Sequence, residues 1–427
     1  MTELSPLEAV LPPLESDILA FIEDPDPDPA AFDTLALRLF AHQFETNAAY
    51  RRYCRTRRAT PDRVQHWTDI PAVPLTAFKR LTLATMPPED AGAVFMTSGS
   101  TDPATRGRNH HPHLRLYDAS LLRSFRDRFL PTGPATADAA VTGSDRMRIV
   151  VLNAPRDESP RSSIAHFFST LVEQCGTADS GHLLRNGVLD VPAAVDVFAR
   201  AEETGEPLAV LGTSFSFVHL LDALAAEDRT FALPTGSRVL DTGGFKGQSR
   251  EVSADELREA FAHRLGVPDD HCANYYGMTE ISTQYYDRTP LGLEAVAADL
   301  TSPSGSTQAP AADESVRGER AKVVPHWARL VVVDPLTRTP VPHGEPGLLL
   351  HLDLANVGSC LAVLSDDIGY AVGDDPTVVD GLTGLGTADV VLRGRASGAE
   401  ARGCSLALDE VLSANRTTTP ATEPTAP

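Results

Sequence analysis

Residues 96 to 108 read MTSGSTDPATRGR, a stretch with five hydroxyl side chains and two glycines that closes on two arginines. The apolar Ala93-Val94-Phe95-Met96 before it has the composition of a strand, so the stretch reads as a loop leaving a sheet edge, where ligands commonly sit in α/β folds. Glycine allows backbone amides to close around an anion, and hydroxyls add further donors. A phosphate-holding loop and an ordinary solvated loop share this composition, and the surrounding chain has to separate them.

Downstream, strand and helix patterns alternate. Ile149 to Leu152 precedes a helical pattern near 163–174, and Leu208 to Leu211 precedes one from about 216 to 226. Arg238 to Leu240 precedes a helix whose start is marked by Ser253 and Glu256 at capping-box spacing and whose end is marked by Gly266. This alternation predicts an α/β sheet with helices on its faces. Upstream, DPDPDP at 24–29 interrupts any helix, and Phe32 to Arg58 places Leu35, Leu39, Phe40 and Phe44 at helical spacing before a basic end. The organisation expected is a helical N-terminal segment over 1–90 and an α/β core over 91–298. A flexible insertion over 299–320, a small β subdomain over 321–395, a short C-terminal segment over 396–413 and a disordered polar tail over 414–427 follow.

The chain of 427 residues has a formal charge of -21, which repels a nucleic-acid backbone over most of the surface and excludes nucleic acid as an expected partner. No run reaches the length of a membrane span and no basic leader opens the chain, so a cytoplasmic protein without membrane association is expected. The five cysteines are odd in number and scattered, which fits reduced thiols.

Two common nucleotide-binding signatures are missing: no GxxxxGK[ST] occurs, and GLTGLGTAD is only a fragment of a dinucleotide fingerprint. GTSFS at 212–216 lacks the closing glycine of a serine-hydrolase elbow. The opening stretch gains meaning beside NYYGMTE at 274–280 and DTGGFKG at 241–247. Together the three resemble the phosphate, metal and adenine motifs of adenylate-forming enzymes. IPAVPLTAFK at 70–79, DTGGFKGQSREV at 241–252 and RGCSLALDEVL at 402–412 are most similar to the LuxE-type acyl-protein synthetases, a resemblance running from about residue 35 to 413.

That resemblance implies an adenylate-forming α/β large domain with a small β subdomain, its lid domain absent or strongly truncated, and ATP and Mg²⁺ as cofactors. Thr97, Ser98, Gly99, Ser100 and Thr101 would hold the outer phosphates, although Asp102 stands where the family has glycine and Thr105 where it has lysine. Arg106 or Arg108 would then supply the cation, with Lys246 next. Thr279 would meet the α-phosphate, Glu280 would bind Mg²⁺, and Tyr276, Gly277, Gly243 and Gly244 would surround adenine. Asp367 in VLSDDIGY would accept the ribose hydroxyls, and Arg395 matches the family's hinge-proximal arginine.

The chain ends soon after Val411, without room for the lid that carries a catalytic lysine in larger relatives. In the short acyl-protein synthetases a cysteine near this end accepts the acyl group, and Cys404 matches it. His166 and Phe215, with Phe167, Phe168 and Phe217, are either acyl-pocket or plain core residues. The expected activity is activation of a carboxylic, fatty acid as acyl adenylate and its transfer to a thiol, feeding a possible acyl reductase partner. A CoA ligase similar to phenylacetate-CoA ligases and a non-catalytic scaffold for a reductase remain alternatives.

Overall fold

The structure, a computed structural model, describes residues 11–97, 106–130, 146–243, 250, 252–289, 320–373, 386–396 and 398–415. The expected insertion, apart from Arg320, and the expected tail, apart from Ala414, which still belongs to a helix, and Asn415, lie outside these residues, as do Ser98, Gly99, Ser100, Thr101, Asp102, Thr105, Gly244 and Lys246.

The chain opens with α1 (Leu11–Glu23), α2 (Ala31–Thr46) and α3 (Ala48–Thr56), the proline-rich run separating the first two. Asn47 ends α2 and caps α3, accepting a hydrogen bond from the Tyr50 amide at 3.1 Å while its own amide donates to the Ser359 carbonyl at 3.1 Å. Beyond α3 come β1 (Val73–Pro74) and a 3-10 turn over Leu75–Lys79. The strand expected before the hydroxyl-rich loop is present as β2 (Ala93–Met96), but among the described residues it pairs with β3 (Arg108–His111) alone, in an antiparallel hairpin. One of its four residues, Phe95, is buried, against Tyr117 and His166.

The α/β core forms as the alternation requires. β4 (Arg148–Val151), β5 (Gly181–His182), β8 (Leu208–Thr213), β9 (Arg238–Thr242), β10 (Cys272–Tyr276) and β11 (Tyr285–Tyr286) make a sheet in the order β11-β10-β9-β8-β4-β5. All of its pairings are parallel except that of β11 with β10. A small hairpin of β6 (Leu184–Arg185) and β7 (Val188–Leu189) stands apart. Alternate strand residues face opposite sides: Val150, Val210 and Val239 meet α6 (Val191–Thr204), α7 (Ser214–Ala226) and α8 (Ala254–Leu265). Ile149, Val151 and Leu240 meet α4 (Arg115–Arg128) and α5 (Ser163–Cys175). The Ser253–Glu256 capping box opens α8, and Gly266, at φ 69°, closes it in the left-handed conformation that favours glycine.

A second sheet contains β12 (Ala328–Val333), β13 (Gly347–Asp353), β14 (Ala362–Val372) and β15 (Asp389–Arg395), all antiparallel. β1 adds to β14 in parallel, so the N-terminal segment joins this sheet. The core beneath it is shared: Phe32, Leu39, Phe40 and Tyr50 of the N-terminal helices pack with Val331, Leu348 and Val363. The C-terminal helix, Gly398–Ala414, docks on the same core through Ala407 and Val411, and Glu410 pairs with Arg57 at 2.8 Å and Arg338 at 2.6 Å.

Candidate active site

The chain leaves β10 at Tyr276 and runs through Gly277-Met278-Thr279-Glu280 before returning as β11. This turn is pinned from behind. Asn109 on β3 donates to the Thr279 carbonyl at 3.0 Å, and Asn356 donates to the Glu280 carbonyl at 2.9 Å. Asp353, at the end of β13, accepts from the Ser282 and Thr283 amides at 2.7 and 2.8 Å with one oxygen and from the Thr283 hydroxyl at 2.8 Å with the other. These groups are buried, so every partner that is lost leaves an unsatisfied polar atom.

Glu280 itself is only 3% exposed, and its Oε1 has no hydrogen-bond partner among the described residues. Burial pushes its carboxyl up to about 7, with Lys79 and then Arg395 drawing it back. Beside it lies the base of the hydroxyl-rich loop. The Thr97 amide donates to the Gly107 carbonyl at 3.0 Å, and the Gly107 amide donates to the Thr97 hydroxyl at 2.9 Å, so the loop leaves and returns at one point. A Cβ on Gly107 would stand 3.0 Å from the Thr97 methyl and 3.4 Å from Glu280 Oε1, and the absence of a side chain there is what lets the two motifs meet.

Across the cleft, Asp367 on β14 accepts a 2.8 Å hydrogen bond from the Tyr276 hydroxyl and faces Arg395, its register partner on β15, at 3.4 Å. Burial raises the Asp367 carboxyl against the opposing pull of Tyr276 and Arg395. Beneath Tyr276, the buried His351 lies 3.4 Å from its hydroxyl and 3.2 Å from that of Tyr285. On the third side Gly243 follows directly on β9; its φ of 74° suits glycine and its carbonyl accepts from Ser214 at 2.9 Å. Asp241 just before it accepts from Ser214 and Asn274, both at 2.9 Å, and fixes the strand end.

These groups enclose one cleft of about 170 Å³, lined by Thr97, Gly243, Gly277, Thr279, Glu280, Asp367 and Arg395 among others. The sequence-predicted residues that the structure describes are thus brought together, with some differences. Tyr276 enters through its grip on Asp367, and the aromatic residues on the cleft wall are Tyr117 and Tyr275, the latter packed on Phe167 at a ring distance of 4.5 Å. Arg106 and Arg108 do not line the cleft. Nor do His166 and Phe215: the His166 ring is held by Asp118 at 2.6 Å, and Phe215 meets His219 edge-on at 6.4 Å. Cys404 is carried by the C-terminal helix, which starts just after Arg395. Asn109, Asp353 and Asn356 have no role in the motif reading because no spacing marks them; Lys79 lies in a motif, but composition alone gives it no role.

No protein-family model matches the chain. It is 21% identical to a long-chain-fatty-acid–luciferin-component ligase of Vibrio harveyi over 88% of this chain and 86% of that one. It is 23% identical to the ligase of the same name from Aliivibrio fischeri over 90% of this chain and 89% of that one. Among solved structures it resembles a 2-hydroxyisobutyryl-CoA ligase in the postadenylation state in complex with 2-HIB-AMP, with a TM-score of 0.53 and 14% identity over 86% of this chain and 68% of that one. An open form of that ligase with 2-HIB-AMP and CoA gives a TM-score of 0.53 over 85% and 74% of the two chains, at 14% identity. The resemblance to the acyl-protein synthetases read from the motifs is thereby borne out, and the fold is that of the adenylate-forming ligases.

Proposed function

We propose that this chain is an AMP-forming ligase that activates a long-chain fatty acid as its acyl adenylate and passes the acyl group to a thiol. The observation that carries this reading is the convergence of Thr97, Thr279, Glu280, Gly243, Asp367 and Arg395 on one cleft from five separate stretches of chain. The likeness to the two luciferin-component ligases supports the substrate class.

In the first step a carboxylate oxygen bonds to the α-phosphorus of ATP and the bond to the bridging oxygen breaks, releasing pyrophosphate. The chain contributes alignment and charge compensation. Asp367 accepts the ribose hydroxyls; each of its oxygens has lone-pair capacity beyond its Tyr276 or Arg395 partner. Thr279 donates to the α-phosphate. Glu280 fits a hard cation, since its buried Oε1 lacks a partner and no cluster of three His, Cys, Asp or Glu forms among the described residues. One carboxylate with substrate phosphates is the arrangement Mg²⁺ favours. When bound there, Mg²⁺ would supply charge neutralisation between the phosphates.

In the second step a thiolate bonds to the acyl carbon and AMP leaves. Cys54, Cys175, Cys272 and Cys360 are buried, and burial pushes the thiols of Cys54 and Cys272 up to about 12, far from a usable thiolate. Cys404 is the proposed acceptor, and its thioester is the form from which an acyl reductase partner would draw the acyl group. Incubation with ATP, Mg²⁺ and fatty acids of graded length, followed by intact-mass measurement, tests the reading. The expected result is a hydroxylamine-labile acyl adduct on the wild type and none on Cys404→Ser, with AMP released by the wild type. An adduct that persists on Cys404→Ser would overturn the acceptor assignment. An unmodified wild type that acylates free CoA would place it with the CoA ligases of the same fold.

A further inference from the structure

IPAVPLTAFK at 70–79 contributes to the resemblance while its residues have no assigned task, and the hydroxyl-rich loop lacks its usual lysine at Thr105. The two observations meet in the structure. The 3-10 turn Leu75–Lys79 packs on β3, on β14 and on the C-terminal helix, at the junction of the loop hairpin, the Asp367 strand and the segment bearing Cys404. Ala77 and Phe78 of this turn are buried, and the chain then turns Lys79 outward into the cleft that Thr97, Thr279 and Glu280 line. The side of the cleft is fixed by Gly107. A Cβ at that position would lie 3.5 Å from the Phe78 Cβ and 3.4 Å from Glu280 Oε1, so the residue before Lys79 abuts the loop base and the buried carboxylate together.

Although the chain carries 58 acidic residues, Lys79 makes no ion pair or hydrogen bond with any described residue. A cation held at a cleft, near enough to draw down the Glu280 carboxyl but in no ion pair with a described residue, is matched to an anionic ligand. Arg106 and Arg108 do not line this cleft, and Arg395, which does, is paired with Asp367 at 3.4 Å.

We propose that Lys79 is the residue that contacts the ATP phosphates in this site, supplying from the N-terminal segment the charge that the hydroxyl-rich loop lacks. The assignment rests on the adenylation reading. As the acyl oxygen bonds to the α-phosphorus and the bond to the bridging oxygen breaks, negative charge grows on the departing pyrophosphate. The Lys79 ammonium donates hydrogen bonds to those oxygens and keeps its protons throughout.

The test compares wild type, Lys79→Ala and Lys79→Arg in two measurements: calorimetric binding of Mg²⁺-ATP without acid, and pyrophosphate exchange with an active fatty acid. Lys79→Ala is expected to weaken ATP binding by about tenfold and to lower kcat for exchange by roughly 10²-fold, with unchanged thermal stability because its side chain is exposed. Lys79→Arg should recover part of both losses, since it keeps the charge but not the compact geometry. ATP binding and exchange within twofold of wild type in Lys79→Ala would overturn the proposal while leaving adenylation intact. A wild type that binds ATP and exchanges pyrophosphate with no acid would overturn the adenylation reading, and the binding comparison would still decide whether Lys79 meets phosphate. A wild type that does not bind ATP would overturn both.

Discussion

As the proposed Mg²⁺ ligand, Glu280 combines two demands that conflict in the free protein: it would have to be a carboxylate to hold the cation, and it is buried where a carboxylate is disfavoured. Its carboxyl titrates near 7 in the fold against an ordinary 4.5. Between those values the unfolded chain is ionised while the folded chain still holds the proton. Stability therefore declines as pH rises from about 4.5 to 7 and levels off above, a loss on the order of 3 kcal/mol. Glu280→Gln removes that cost. In metal-free buffer it should melt at a higher temperature than wild type at pH 8 and at nearly the same temperature at pH 4.5, as thermal unfolding at the two pH values checks. Pyrophosphate exchange by the same variant should fall by roughly 10²–10³-fold. Glu280, Thr279, Asp367 and Arg395 could be singled out in the sequence because each sits in a stretch that resembles a motif of the adenylate-forming enzymes, and the resemblance implies their roles. Asp353 could not, because an aspartate closing a strand looks like any other until its partners are known.

The turn between β10 and β11 shows the same division at the level of an element. Its existence could be read from NYYGMTE, but its support comes from Asp353 and Asn356, more than seventy residues away along the chain, and from Asn109 on the loop hairpin. Asp353 accepts four hydrogen bonds, from the Ser282, Thr283 and Ala355 amides and the Thr283 hydroxyl. An asparagine would turn an amide donor toward other donors. Asp353→Asn should destabilise the protein by about 3 kcal/mol and lower kcat for exchange more than it raises KM for ATP, because the turn carrying Thr279 and Glu280 loses its backstop. Denaturant titration together with exchange kinetics checks this, and unchanged kcat in the folded variant would show that the turn holds itself. Local signals placed α8 through its capping box and closing glycine. The pairing of β2 with β3, and the entry of β1 beside β14, depend on contacts between distant residues, which no local pattern encodes.

For the whole molecule, the alternation of strands and helices was enough to predict an α/β sheet with helices on its faces, and the strands over 328–352 were enough to predict a β subdomain. What the sequence did not disclose is that the N-terminal helices and that subdomain share one core, which is how Lys79 comes to stand beside Glu280. Buried histidines link this assembly to pH. Burial pushes His111 and His351 down to about 3, so both stay neutral in the fold while the unfolded chain protonates them near 6.5. Their contribution to stability is full above about pH 6.5 and is lost progressively as pH falls toward 3. His351→Gln, which retains hydrogen-bonding capacity under Tyr276, should reduce the proton uptake on unfolding at pH 5 by about one, as measured from the slope of stability against pH. An unaltered slope would mean that His351 accepts a proton in the fold.

The expectations about activity depend on the cleft making an acyl adenylate, and exchange of labelled pyrophosphate into ATP reports that step whatever thiol finally takes the acyl group. With wild-type protein, Mg²⁺ and long-chain fatty acids, label should enter ATP only when an acid is present, and Glu280→Gln should slow its entry by roughly 10²–10³-fold. Acid-independent exchange, no exchange with any acid, or near-normal exchange by Glu280→Gln would contradict the assignment of this cleft.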